Sequence, residues 1–359
     1  QTLIYTGPSL SLGASTLSLS GGGTFANTMS LVLDNAASKL LLSSITVDNV
    51  STSVDNSLGV EVENDSTITS LSVANITPVS IATGKTLSGA IGVTAGSIKL
   101  TDTGTLASTV EMSGGTLDAD NSLTVSGALT QSGDITIDVL GNQTLIYTGP
   151  SLSLGASTLS LSGGGTFANT MSLVLDNAAS KLLLNSITVD NVSTSVDNSL
   201  GVEVENDSTI TSLSVANITP VSIATGKTLS GAIGVTAGSI KLTDTGTLAS
   251  TVEMSGGTTL DADNSLTVSG ALTQSGDITI DVADTRTLIY TGPSLSLGAS
   301  TLSLSGGGTF ANIMPLVLDN ANSKLLLSSI TVDKVSTSVD NSLGVVVDND
   351  STVRNFNLS

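Results

Sequence analysis

The sequence predicts an all-β chain wound as a parallel β-solenoid, and three observations carry that prediction. The first is repetition. The stretch Gln1–Val139 returns as Gln143–Val282, and a shorter third copy runs from Arg286 to Ser359. Tandem copies of one unit are the signature of stacked architectures. The second is a hydrophobic period of two residues, which places alternate side chains on one face of a strand. The third is spacing: apolar pairs recur every six to eight residues or so, tighter than the roughly 8–12-residue rhythm of sandwich strands.

Taken in order along the first copy, the alternating runs are Leu10/Leu12, Leu17/Leu19, Ile45/Val47, Val60/Val62, Leu71/Val73, Ile98/Leu100, Leu123/Val125 and Ile135/Ile137. Leu31-Val-Leu33 and Ile91-Gly-Val93 are looser versions of the pattern. Gly21-Gly22-Gly23 suits a sharp corner, because glycine accepts positive backbone φ. The pairs Asp34-Asn35, Asp48-Asn49, Asp55-Asn56 and Asp120-Asn121 suit corners as well, since Asn tolerates the left-handed region. Tyr5 and Phe25 are expected at corners or in an irregular rung. No stretch carries an amphipathic helical pattern of three turns. Three short strands per turn give a rung of about 20 residues and about 18 rungs in all. At ~4.8 Å per rung the expected length is about 85 Å. The copies divide the chain into residues 1–142, 143–285 and a partial repeat at 286–359, read as one continuous rod.

Differences between the copies assign faces. Ile68, Leu71 and Val73 become Val353, Phe356 and Leu358, which keeps their apolar character and points them inward. Thr28, Ser30 and Glu61 become Ile313, Pro315 and Val346, a change of polarity expected of outward positions. Met112-Ser-Gly-Gly-Thr-Leu117 becomes Met254-Ser-Gly-Gly-Thr-Thr-Leu260. One residue added within a strand would turn every following side chain to the wrong face, so the extra Thr belongs in a turn.

Composition narrows the function. There is no Cys, His or Trp; aromatics make up 2% and charged residues 11%, while 39% is apolar. Small branched side chains can therefore pack a narrow interior. The net charge is −20 and the basic residues are scattered, which argues against nucleic acid and against an anionic membrane surface. No run of 18 apolar residues crosses a membrane, and no signal peptide is found in this span, which starts at Gln1 as a processed chain or a segment would.

The string GGTLDADNSLTVSGALTQSGDITI, Gly114 to Ile137, resembles the β-helical repeats of large bacterial surface proteins of the filamentous-haemagglutinin-like and autotransporter-type adhesin families. The resemblance covers the whole chain through pattern and composition. It implies a right-handed parallel β-helix, export to the cell surface, and roles in adhesion or matrix.

Without His or Cys, triad chemistry and classical zinc sites are excluded. Carboxylate pairs at Glu61/Glu63 and Asp118/Asp120 are read as solvated faces rather than catalytic dyads. Calcium is the one cofactor with chemical support, from Asp55, Glu61, Glu63 and Asp65, although neither a calcium β-roll nonapeptide nor an EF-hand loop is present. Otherwise no cofactor is expected. The Thr positions look irregular, which speaks against a flat Thr array for ice. The start at Gln1 is ordinary repeat without a cap, and the third copy stops partway with Arg354, Asn355 and Phe356 differing from the earlier copies; a window from a longer solenoid and a head-to-tail filament both fit, and end-to-end self-association is the expectation, with surface or matrix polysaccharide as a further partner. The expected function is an extracellular, non-enzymatic structural protein: a surface fibre, filament or adhesin stalk. The alternatives are a carbohydrate-active β-helix of tail-spike type and an array of immunoglobulin-like modules.

Overall fold

A computed structural model describes residues 1–340 and 342–358. The chain is all-β, wound into about 17 parallel coils of about 21 residues that form a β-solenoid. Two compact units are distinguished: Gln1–Leu173 with Ser186–Asp190, and Val174–Asn185 with Asn191–Ser359.

In the first unit the opening coil has three strands, Thr2–Tyr5, Leu10–Ser11 and Thr16–Ser20. The next repeats the plan with Thr24–Asn27, Leu31–Leu33 and Lys39–Ser43. Pairing is parallel and in register: Leu3 lies beside Phe25, Leu10 beside Leu31, and Leu17 beside Leu40. The predicted three strands per rung hold here. In other coils the first two merge into one longer strand, as in Thr46–Thr52, Ser66–Val73 and Thr86–Val93. The pattern slips where they merge. Asp48 and Asn49 both face outward in succession inside Thr46–Thr52, so this Asp-Asn pair marks a bend within a strand rather than a break between strands. Asn27 and Asn49 secure the bend, each side-chain amide donating to the other's carbonyl at 2.6 Å.

The second unit uses the same devices. Ser208–Val215 pairs with Thr228–Val235, Ile218–Ile223 with Ser239–Leu242, and Thr331–Thr337 with Thr352–Leu358. Immunoglobulin-like modules are ruled out, because the strand pairings are parallel and, among the described residues, antiparallel contacts reduce to the isolated bridges Leu140–Gly164 and Ala283–Gly307. Sandwich modules require antiparallel sheets.

The interior of each unit is a set of aliphatic columns, as the copy comparison predicts. Ile68, Leu71 and Val73 are buried, whereas Thr28 is exposed and Ser30 and Glu61 are half-buried. Stacking removes these side chains from water, the main favourable contribution to folding. In the complete coils the aromatics are core, not corner. Tyr147 and Phe167 are both fully buried with ring centroids 6.0 Å apart, and Tyr290 and Phe310 repeat the pair at 5.9 Å. The Tyr147 hydroxyl accepts the Leu129 N–H at 3.1 Å and donates to the Pro150 carbonyl at 2.7 Å. One side chain thus ties two coils together.

The inserted Thr258 sits in the turn between Thr251–Met254 and Thr259–Ala262, with its hydroxyl donating to Ser255 O at 2.6 Å. Pairing before and after it is the same as in the first copy. Gly89, like its copy Gly231, is a position where glycine is required: its φ is 115°, and an added Cβ would stand 1.8 Å from the Ile68 carbonyl oxygen. The strand register shifts there, between Gly89 and Ile91.

Candidate functional site: the outward rows of the coils

Outward residues repeat at the coil spacing and so form rows. On one face of the first unit Lys99 lies beside Asp118, and Asp118 beside Asp138. Lys99 Nζ reaches Asp118 Oδ2 at 3.3 Å and Asp120 Oδ2 at 3.1 Å. The second unit repeats this, with Lys241 at 3.5 Å from Asp261 and 3.1 Å from Asp263. Burial pushes the Asp118 carboxyl up; Lys99 opposes that shift, while Asp120 and Asp138 add to it. Asp261 is raised by the same burial, reinforced by Asp263. The lysines are raised in turn, Lys99 chiefly by its hydrogen bond to Asp120 and Lys241 by that to Asp263.

A shallow depression of about 440 Å³ lies on this row, lined by Ser97, Thr116, Asp118, Thr136 and Asp138 together with Ile76 and Gly96. It contains no aromatic platform. The carboxylate row is balanced in part by Lys99, which bridges to Asp118 and Asp120 of the following coil.

The calcium candidates are distributed rather than gathered. Glu61 pairs with Lys39 on Gly59–Asn64, and Glu63 on the same strand is exposed. Asp55 accepts the Ile76 N–H at 2.8 Å and Asp65 the Thr86 N–H at 2.9 Å, each from the following coil. Among the described residues no group of three or more carboxylates is placed to hold a metal ion. In the third copy Lys324 has no carboxylate partner among the described residues, because Val346 stands where Glu61 stands in the first.

Sequence reading missed the main task of these carboxylates, which is bracing between coils. Asp134 and Asp277 accept the N–H groups of Thr158 and Thr301 at 2.7 and 2.6 Å. Asp197 and Asp207 hold Ile218 and Thr228 in the same way, both at 2.8 Å. Asp34 reaches back instead, to Ser11 and the Gly13 N–H; the Ser11 hydroxyl first and then that N–H hold its carboxyl below the usual carboxylate range. The available signal was the interval: partners lie 21 to 24 residues apart, about one coil.

The apparent irregularity of threonine is corrected as well. Thr2, Thr24, Thr46 and Thr67 stand side by side in one row, and Thr287, Thr309, Thr331 and Thr352 form its counterpart in the second unit. Each row is single file. The outward residues two places on are Ile4, Ala26, Asp48 and Thr69, a mixed set without a repeating chemistry. No family model, no curated protein and no solved structure matches the chain.

Proposed function

We propose that this chain is a passive structural element of an extracellular surface, the β-solenoid portion of a fibre or adhesin stalk. The observation that carries the reading is the repetition of the same stacked columns and Asp braces in each unit, which devotes the polar outer residues to holding coils together. Lys-carboxylate pairs and Asp-to-backbone bonds occupy the side chains that a catalytic or ion-binding site would need. The one depression described on this face is shallow and lacks aromatic side chains, which favours a structural role over cleavage of polysaccharide. The resemblance to bacterial surface β-helix repeats supports the same location. Polysaccharide of the surface or matrix is the partner class that fits a long polar face rich in Ser, Thr and Asp.

Immunogold microscopy of intact cells that make this protein, with an antibody against the repeated segment 143–177, tests the proposal. Label on thin surface fibres is expected. Label confined to the cell interior overturns it.

A further inference from the structure

One step between coils, found in the interior of each unit, lacks part of its ladder. In the first unit two of the three faces are paired across this step. Leu123–Val125 lies beside Thr144–Tyr147, and Ile135–Val139 beside Thr158–Ser162. On the third face Leu129–Gln131 pairs with Thr109–Met112 of the coil before. Among the described residues it forms no ladder with Leu152–Ser153 of the coil after. The second unit repeats the gap between Leu272–Gln274 and Leu295–Ser296. There too the other two faces stay paired, Leu266–Val268 with Thr287–Tyr290 and Ile278–Val282 with Thr301–Ser305.

The sequence supplies the cause. Leu129 follows Val125 by four residues and Leu173 follows Asn169 by four, whereas Leu152 follows Tyr147 by five. The corner Thr148-Gly-Pro-Ser151 thus carries one residue more than the corners on either side of it. Side chains fill in for the missing ladder. One coil earlier the Val110 N–H donates to a backbone carbonyl, Ala128 O at 2.8 Å. The Leu129 N–H donates instead to the Tyr147 hydroxyl at 3.1 Å. Gln131 Nε2 donates to Leu154 O at 2.9 Å, and Gln131 Oε1 is buried without a hydrogen-bond partner. The second unit repeats each detail. Leu272 N donates to the Tyr290 hydroxyl at 3.2 Å, Gln274 Nε2 to Leu297 O at 2.9 Å, and Gln274 Oε1 is again buried and unsatisfied.

We propose that this step is a flexure built into each unit: the face between Leu129–Gln131 and Leu152–Ser153 opens and closes while the other two faces keep their ladders. A face held by two side-chain bonds, with a buried acceptor left over, gains less from closing than a laddered face does. Opening also lets water reach Gln131 Oε1, which offsets part of the cost. The motion is therefore a local opening confined to one side of the step. The same corner and the same Tyr and Gln encode it in both units, so it recurs with the long repeat. It stands on strand pairing and does not depend on the location proposed above.

Hydrogen exchange of the purified chain, read by mass spectrometry with residue-level fragmentation, tests the flexure. Residues 126–131 and 269–274 have the same sequence, as do 107–112 and 249–254, so both units report in one signal. The Leu129 and Gln131 amides are expected to exchange about tenfold faster than those of Val110 and Met112, the matching places one coil earlier. Thr144–Tyr147 and Thr158–Ser162, which pair across the same step, should keep the slow exchange of interior coils. The double variant Tyr147→Phe, Tyr290→Phe should speed Leu129 and Leu272 about fivefold further and leave Val110 and Val252 unchanged. Equal protection at Leu129 and Val110 in the wild-type chain would overturn the proposal, and so would opening shared equally by all three faces. A variant in which Val110 accelerates as much as Leu129 would overturn it too. The wild-type comparison needs no variant, so it decides the matter even where the double variant does not fold.

Discussion

Residues 1–35 and 143–177 have the same sequence and occupy different environments. In the earlier copy Thr16–Ser20 reads exposed, intermediate, exposed along its length; in the later one the matching Leu159 and Leu161 are fully buried. Tyr5 is half-buried and Tyr147 wholly so, though each stacks on its own phenylalanine at 6.2 and 6.0 Å. Local sequence sets the strand and the direction of each side chain. Whether that side chain leaves water depends on the neighbouring coil, which lies some twenty residues away along the chain. Stability in such a protein is close to a sum over coils and the interfaces between them.

The comparison can be broken by substituting matched positions. Leu145→Ala should destabilise its coil by about 3 kcal/mol, within the usual range for a buried leucine, whereas Leu3→Ala should change little. Because coils can open separately, amide hydrogen exchange in Leu123–Val125 and Thr166–Asn169 is a better readout than a single melting temperature. Gly89→Ala should cost about 2 kcal/mol or more, since it combines a strained φ with a collision against a carbonyl. Gly13→Ala, at φ 54° with open space around it, should cost only about 1 kcal/mol. Denaturant titration of the two variants side by side would separate them.

Tyr147→Phe should cost about 1 kcal/mol through loss of the link between Leu129 and Pro150. Tyr5→Phe, at a hydroxyl that accepts no N–H among the described residues, should be nearly silent. The smallest effect belongs to the acidic row. A carboxyl raised in the folded state opposes folding when charged, and that opposition grows as pH rises from the ordinary Asp value of 3.8 to the raised one. Asp118→Asn should therefore raise the stability slightly at pH 7, by roughly a few tenths of a kcal/mol after allowance for solvent screening. The gain should vanish as pH falls below the ordinary Asp value. A melting-temperature profile against pH, with Asp120 left to hold Lys99, checks the sign.

Much of the fold is legible in the sequence, because period-two runs and the copy differences report directly on which face is buried. Ile68, Leu71 and Val73 are assigned inward from their substitutions alone, and the inserted Thr258 is assigned to a turn from the cost of a register slip. The packed Tyr147–Phe167 pair is not legible, since it forms between residues 20 apart that meet only when one coil lies on the next. The rows of threonine and the Asp braces are hidden for a related reason. Coil length varies, so partners fall at 21, 22 or 24 residues and the eye finds no fixed period. Of the carboxylates between Asp55 and Asp65, the winding sends Asp55 to Ile76, Glu61 to Lys39 and Asp65 to Thr86.

The tolerated turn at Thr258 has a genetic consequence. A gene made of near-identical copies invites unequal crossing-over and slipped replication, which delete or duplicate whole copies. In this chain a gained or lost copy enters with its strands already in phase with those before and after it, and errors of a single codon can be absorbed where the backbone turns. Whole copies can therefore be added or removed with the strand register on either side preserved, as the pairing around Thr258 is.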